Sequence, residues 1–365
     1  MNHLSPSHTP YMSSTESYQS AKRLVFVLSI SMAMWGCGSN PDDDGGAAQL
    51  NRAVPVTPPT FIRAESDHMF SAMIANAGGT NRFFHFRSPT PLDKQTVIRM
   101  NRDVLYSGGV FDATEGLTIE FPEVGDGRYA SVEIIDNDHY VVDILHEPGI
   151  YEVESPTDFV YIIVRLHLKS PDDVEDIRSV NALQDRFIVR TGSAREFVPR
   201  AWDAGSLDSL RNVYLEEAAQ YDGYKGMMGK RGHVNEGTRH IAAAGGWGLL
   251  PDEEATYLLF QDSSVKAGVS YSGTFEVPEN KGFWSITVYG GDGYIKNDSS
   301  YLSGSNVVLN EDGTFTVCFG DEGTWDDSPN RILAPEGWNF LLRVYRPGDQ
   351  VLNGTYELPE LRPNP

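Results

Sequence analysis

Positive charge is scarce in this sequence. Lys and Arg number 29 against 51 Asp and Glu, a formal charge of -22 over 365 residues. With no basic stripe to neutralise phosphates, nucleic acid and anionic membrane surfaces are excluded as partners. Cysteine is scarcer still. Cys37 and Cys318 alone cannot build a disulfide scaffold or a cysteine-rich zinc module. The chain has no H-x-x-x-H pair, no G-x-S-x-G elbow and no D-x-[DN]-x-[DN]-G calcium loop. The commonest zinc-hydrolase, serine-hydrolase and EF-hand designs are therefore absent. What remains is globular composition, 40% hydrophobic and 11% aromatic, which is too rich in apolar mass for a disordered chain. The length suits about two domains.

Lys22-Arg23 precede an apolar run, Leu24 to Trp35, that is too short for a bilayer span of roughly twenty residues and suits the core of a secretory signal. Gly36-Cys37-Gly38-Ser39 follows, with a small residue before the cysteine as in bacterial lipoprotein signals. The expectation is lipidation at Cys37 after removal of residues 1–36. Attachment would then be by lipid alone, at the outer membrane facing the periplasm or the surface. Asn40-Pro41-Asp42-Asp43-Asp44-Gly45-Gly46 is too polar and flexible to pack, and 37–59 is expected to be a tether. Cys318, inside Thr314 to Phe319, reads as a small buried hydrophobe of a strand.

The folded part divides into three stretches. From 60 to 169 a helix capped by Thr60 and ending at Gly78-Gly79 leads into strand-like segments at 96–100, 117–121, 129–135 and 159–168. From 170 to 262 the pattern is helical and glycine-rich. Ser170-Pro171-Asp172-Asp173 opens one helix as cap, N1 proline and acidic first turn, and a second runs near Ser206 to Gln220. Gly223 to Gly248 carries Lys225, Lys230, Arg231 and Arg239 but not the phosphate-loop spacing, so nucleotide binding is not expected there. From 263 to 365 strands return. Trp284, Ile286 and Val288 fall on one face of a strand, with Phe283, Ser285, Thr287 and Tyr289 on the other. Asn310 to Gly313 is expected to turn a hairpin, and Asn339 to Tyr345 to be the last strand, with Arg343 and Tyr345 sharing a face. The fold class is mainly β. Two β-sandwich or jelly-roll-like domains flank a helical middle segment, with a helix at the N-terminus.

Asn101-Arg102-Asp103-Val104-Leu105-Tyr106-Ser107, Phe83 to Arg87, and Gly127-Arg128-Tyr129 leading into Ile135-Asp136 resemble the bacterial family called domain of unknown function 1254. Gly282 to Tyr289, Leu333-Ala334-Pro335-Glu336-Gly337, Leu342 to Tyr345 and Val351 to Thr355 resemble its usual partner, domain of unknown function 1214. The resemblance implies a two-part β-sandwich architecture with helical decoration, often in exported proteins. It implies no reaction, cofactor or catalytic residue.

Asn101, Arg102, Asp103 and Tyr106 are the densest polar cluster in strand-like surroundings. An Arg fork beside a carboxylate can orient a carboxylate or a sugar hydroxyl, with Tyr106 as a stacking wall. The same residues also read as a loop braced by its own Arg–Asp pair. Tyr289, Arg343 and Tyr345 are candidates for a concave aromatic face, while Trp284 reads as core. Asp136-Asn137-Asp138-His139, Asp143 and His146-Glu147 form the one metal-like constellation. On a strand, His139 points away from the two carboxylates, so a solvated acidic turn is the better reading, and no metal or cofactor is expected. Two functions follow. One is a tethered binding or scaffold module for a small-molecule or glycan ligand held between the β domains. The other is an envelope hydrolase or lyase with Asp103 or Asp136 as acid/base and Arg102 as anion stabiliser.

Overall fold

The computed structural model of the protein describes residues 53–364 apart from 96–97, 126, 222, 264, 267, 322 and 325–326. The expected signal segment, Cys37 and most of the expected tether lie outside the described residues. No helix among the described residues is long and apolar enough to cross a membrane.

Helix α1 (Phe61–Ala77) starts after Thr60 and stops at Gly78, whose φ of 73° is left-handed and suits a residue without Cβ. The chain then builds a five-stranded sheet in the order β1-β2-β7-β4-β5, all antiparallel. Its strands are β1 (Arg82–His85), β2 (Val104–Asp112), β4 (Ala130–Asp136), β5 (Val141–Leu145) and β7 (Phe159–His167). A smaller antiparallel sheet packs against it, ordered β6-β3-β8 and made of β3 (Leu117–Phe121), β6 (Gly149–Val153) and β8 (Ile188–Thr191). Alternation along β2 and β7 explains why the large sheet is buried on both faces. Phe111, Ile162 and Val164 join Ile119, Phe121 and, from helix α2 (Val174–Gln184), Val180 in one core. Val110, Tyr161 and Ile163 turn the other way, against Phe70 and Met73 of α1 and Trp247.

Helices α3 (Ala204–Ala218) and α4 (Arg239–Gly245) pack on α1 through Phe61, Leu207, Tyr214 and Ala243. The second pair of sheets follows. One is ordered β12-β11-β15-β9, from β9 (Ala255–Phe260), β11 (Trp284–Tyr289), β12 (Tyr301–Ser303) and β15 (Asn339–Tyr345). The other is ordered β14-β13-β10-β16, from β10 (Ser270–Phe275), β13 (Phe315–Gly320), β14 (Arg331–Leu333) and β16 (Arg362–Asn364). Trp284, Ile286 and Val288 point into the core between these sheets, as alternation predicts, and Trp284 stacks on Phe315 at 4.6 Å. Cys318 is a buried strand residue of β13. The protein is mainly β, in antiparallel sheets with one parallel pair, β13 with β14.

Four details differ from the sequence reading. Ile98 to Met100 form no strand, because Arg99 takes a left-handed φ of 53°. The cap of α2 is Asp173 rather than Ser170, since its carboxylate reaches the amides of Glu175 and Asp176. Asn310 to Gly313 does turn the chain, with Gly313 at φ 84°, but β12 and β13 belong to different sheets and form no hairpin. Strand β16 follows β15, so Asn339 to Tyr345 is not the last strand.

Candidate functional site

The outward face of β11 and β15 is polar in its middle, and the segment 98–103 lies across it. Burying that segment against a sheet leaves backbone groups that need partners, and the sheet supplies them. The Arg343 guanidinium donates from Nη2 to the Arg99 carbonyl at 2.8 Å and to the Tyr289 hydroxyl at 2.7 Å, and from Nη1 to Thr287 Oγ1 at 3.1 Å. The Tyr289 hydroxyl donates in turn to the Met100 carbonyl at 3.0 Å. Asn101 folds its own loop by accepting the Asp103 amide at 2.7 Å, and its Nδ2 donates to the Tyr345 hydroxyl at 2.8 Å and to that of Tyr106 at 3.4 Å. Ser285 donates its hydroxyl to Asp103 Oδ2.

Six of the seven candidate residues therefore converge. Asn101, Asp103 and Tyr106 come from the first half, and Tyr289, Arg343 and Tyr345 from the second. Arg102 departs from them, held by Asp172 at 3.1 Å and Asp298 at 2.9 Å. It clasps the approach to α2 to the loop after β11 and does not face Asp103's pocket partners. Asp136 is elsewhere too. Its Oδ1 accepts the amides of Asp138 and Tyr140, each at 2.9 Å, and Arg231 binds Oδ2 at 3.1 Å, which makes it the brace of a tight turn.

Electrostatics at the seam follow from burial. Asp103 and Arg343 are both 0% exposed. Burial pushes the Asp103 carboxyl above its ordinary range, with Arg343 pulling the other way. Burial also opposes the Arg343 cation, but Tyr289 and Asp103 together hold it charged. The hydroxyls of Tyr106, Tyr257, Tyr289 and Tyr345 are raised by burial and stay neutral. The seam thus offers neutral hydroxyls, a permanent guanidinium and a carboxyl that resists ionisation. Asp103 Oδ1 and Arg343 Nε are buried without a hydrogen-bond partner among the described residues.

Sequence reasoning missed the layer behind these groups. Arg165 and Glu133 pair at 2.6 Å inside the large sheet, and Arg165 Nη2 donates to the Gly248 carbonyl at 2.6 Å. The signal was there: Glu133 and Arg165 each interrupt the apolar interior of a strand. The register of β4 with β7 puts them on a shared diagonal, Ser131 opposite Arg165 and Glu133 opposite Ile163. The Arg165 guanidinium lies 5.9 Å from the Tyr106 ring centroid.

Beside the seam an open cleft of about 450 Å³ is walled by Leu249, Leu250, Leu258, Leu352 and Tyr257, with Lys225 and Asp252 among its polar groups. Tyr257 is the link. It packs against the cluster that holds Tyr345 and Tyr106 and against the one that holds Tyr289.

Comparison with other proteins bears on the fold. The crystal structure of the VPA0106 protein from Vibrio parahaemolyticus is 17% identical, covers 84% of this chain and 98% of its own, and superposes with a TM-score of 0.64. A protein from Burkholderia cenocepacia is 14% identical, covers 87% of this chain and 91% of its own, and reaches a TM-score of 0.45, on which nothing is built. No curated protein matches the chain. Residues 80–150 match the family described as protein of unknown function (DUF1254), and residues 256–349 match protein of unknown function (DUF1214). The first match contains Asn101, Asp103 and Tyr106, and the second contains Tyr289, Arg343 and Tyr345, so the seam is built where the two meet. The two matches stand in tandem along the chain, DUF1254 ahead of DUF1214.

Proposed function

We propose that the protein is a binding module for a small ligand with an apolar body and a polar end, taken up in the cleft beside Tyr257. One observation carries this reading: an open, mostly apolar cleft of about 450 Å³ lies across Tyr257 from a buried polar cluster in which Asp103 Oδ1 and Arg343 Nε have no hydrogen-bond partner among the described residues. Small-molecule sites combine apolar walls with a few convergent polar groups in this way. The apolar body rests on Leu250, Leu258 and Tyr257, and the polar end reaches the hydroxyls behind Tyr257. A thermal-shift screen of aliphatic and aromatic alcohols and carboxylic acids tests it. Ligand-dependent stabilisation is expected for the intact protein and should vanish in Leu352→Trp, which fills the cleft from its rim. No stabilisation across the panel would sink the proposal.

A hydrolase or lyase is the second reading, favoured by a buried carboxyl with a raised pKa beside a fixed guanidinium. In that reading Asp103 is the acid/base and Arg343 the anion stabiliser, since Arg102 is committed to Asp172 and Asp298. Turnover on a substrate panel that survives unchanged in Asp103→Asn removes Asp103 from the role.

The cellular address belongs to the same proposal. Cys37 carries the lipid and holds the module at the envelope through the polar tether, with the motif Gly36-Cys37-Gly38-Ser39 as support. Metabolic labelling with a fatty-acid analogue should mark the wild-type chain and not Cys37→Ser.

A further inference from the structure

The first half has a second cleft, at the end of β4 away from the seam. Tyr129 precedes this strand at the seam and Asn137 follows it, a separation of about 25 Å at strand rise. The cleft has a volume of about 660 Å³ and lies between the start of α1, the turn after β4 and the segment 197–202.

Its floor is fixed by Asp67, which is 5% exposed. Asp67 Oδ2 accepts the Trp202 indole N–H at 2.7 Å, and Oδ1 accepts Asn137 Nδ2 at 3.0 Å. A carboxylate only accepts, so it holds the amide nitrogen of Asn137 toward itself and leaves Oδ1 on the other side. The Asn137 backbone amide is fixed as well, to Thr157 Oγ1 at 3.0 Å. Asn137 is 7% exposed, lines the cleft, and its Oδ1 is buried with no hydrogen-bond partner among the described residues. An acceptor held rigidly and left unpaired just beneath a cleft costs stability unless a donor meets it.

The walls carry the complementary feature. Phe159, Phe197 and Trp202 line the cleft, and the first two meet edge to face at 5.3 Å. At the rim Arg63 and Asp138 form an ion pair that presents donors and acceptors together. Apolar ring faces, a fixed acceptor inside and a mixed charged rim match a molecule with an apolar C–H face and a hydroxylated edge. Asp67, Asp138 and Asp158 outnumber Arg63 and Arg200 around the same space, and the Asp67 carboxylate lies at the floor, so a phosphate or carboxylate ligand is disfavoured. From this geometry we infer that the cleft binds the pyranose ring of a neutral sugar, donating a hydroxyl to Asn137 Oδ1 and packing its C–H face on the aromatic wall. The volume admits one or two rings. The site is separate from the cleft at Tyr257 and stands or falls independently of it.

Saturation-transfer NMR on the full chain, with neutral hexoses, N-acetylhexosamines and their short oligomers, is the test. Transfer to ring protons is expected, from monosaccharides and oligomers alike if the natural source is a free sugar and from oligomers alone if it is a glycan chain. Asn137→Ala removes the acceptor and should weaken binding by about tenfold or more. Because Asn137 also braces Asp67, a second variant guards against misfolding. Val198 lines the mouth at 81% exposure, so Val198→Trp obstructs the cleft without touching the core. Loss of transfer in both variants, with Leu352→Trp unaffected, supports the site. No transfer from any sugar, or transfer that persists in Val198→Trp, overturns it.

Discussion

His139 occupies a place that a charged imidazole cannot share. Its ring stacks on Trp247 at 5.1 Å and its Nε2 accepts the Gly248 amide at 3.2 Å, so the proton sits on Nδ1. Burial, with the Arg239 cation adding to it, lowers its pKa to about 3. The folded pKa lies below the unfolded value of about 6.5, so the unfolded chain binds more protons between those limits. Stability contributed by neutral His139 is therefore present above pH 6.5 and is lost as pH falls from there toward 3. His167, lowered to about 3 by burial with help from Arg128, adds the same slope. Glu133, raised to about 7 by burial against the pull of Arg165, slopes the opposite way. The difference between wild type and a single variant isolates one group. His139 has φ 63°, which Asn tolerates, so His139→Asn keeps the backbone. The stability gap between the two proteins, read from urea unfolding, should narrow below pH 6.5 by about 1.4 kcal/mol per pH unit. A gap that stays constant from pH 7 to 5 would contradict the neutral buried imidazole.

Among the elements, β11 was the most legible in sequence and the segment before β2 the least. Alternation in Trp284 to Tyr289 assigns both faces correctly because a sheet with a core on one side and a polar seam on the other imposes period two. Ile98-Arg99-Met100 reads as strand by the same criterion, yet its apolar residues are only half-buried and Arg99 is the one that is covered. The Arg99 amide donates to Gly293, nearly 200 positions away, and local pattern carries no trace of that pairing. The candidate residues were found for their chemistry, but only tertiary packing separates Arg102 from the rest. Gly282, just before β11, shows how closely this element is fitted. A Cβ there would stand 2.6 Å from the Tyr345 carbonyl oxygen and 3.0 Å from the Tyr129 ring. Backbone cannot yield as a flexible side chain does, so Gly282→Ala should destabilise by about 1–3 kcal/mol. It should also disturb the ring stack of Phe283 on Tyr345, whose centroids lie 4.2 Å apart, as a change in near-UV circular dichroism. An unchanged urea midpoint and spectrum would show that the seam has slack there.

At the scale of the molecule, the seam decides whether two sheet pairs behave as two bodies or one. Each pair has its own apolar core, so each has the means to fold on its own terms. They are joined by the apolar cluster of Tyr129, Phe283 and Tyr345 and by a buried polar network: Arg343 from the second half holds the Arg99 carbonyl of the first, Ser285 holds Asp103, and Asn101 holds Tyr345. These bonds share atoms and are buried together, so opening the seam exchanges all of them for water at once. That couples the opening of one core to the opening of the other. One unfolding transition is therefore expected by calorimetry, with the calorimetric enthalpy equal to the van't Hoff enthalpy. Arg343→Met keeps the volume and apolar stem of the side chain but leaves the buried Arg99 carbonyl and the Thr287 and Tyr289 hydroxyls without their donor. Its cost should be about 3 kcal/mol or more. Because that cost falls on the joint and not on either core, the variant should separate the melt into two steps, the sheet pairs unfolding in turn. A variant that loses the same stability yet still melts in one step would place the coupling in the apolar cluster of Tyr129, Phe283 and Tyr345 instead of in the polar network.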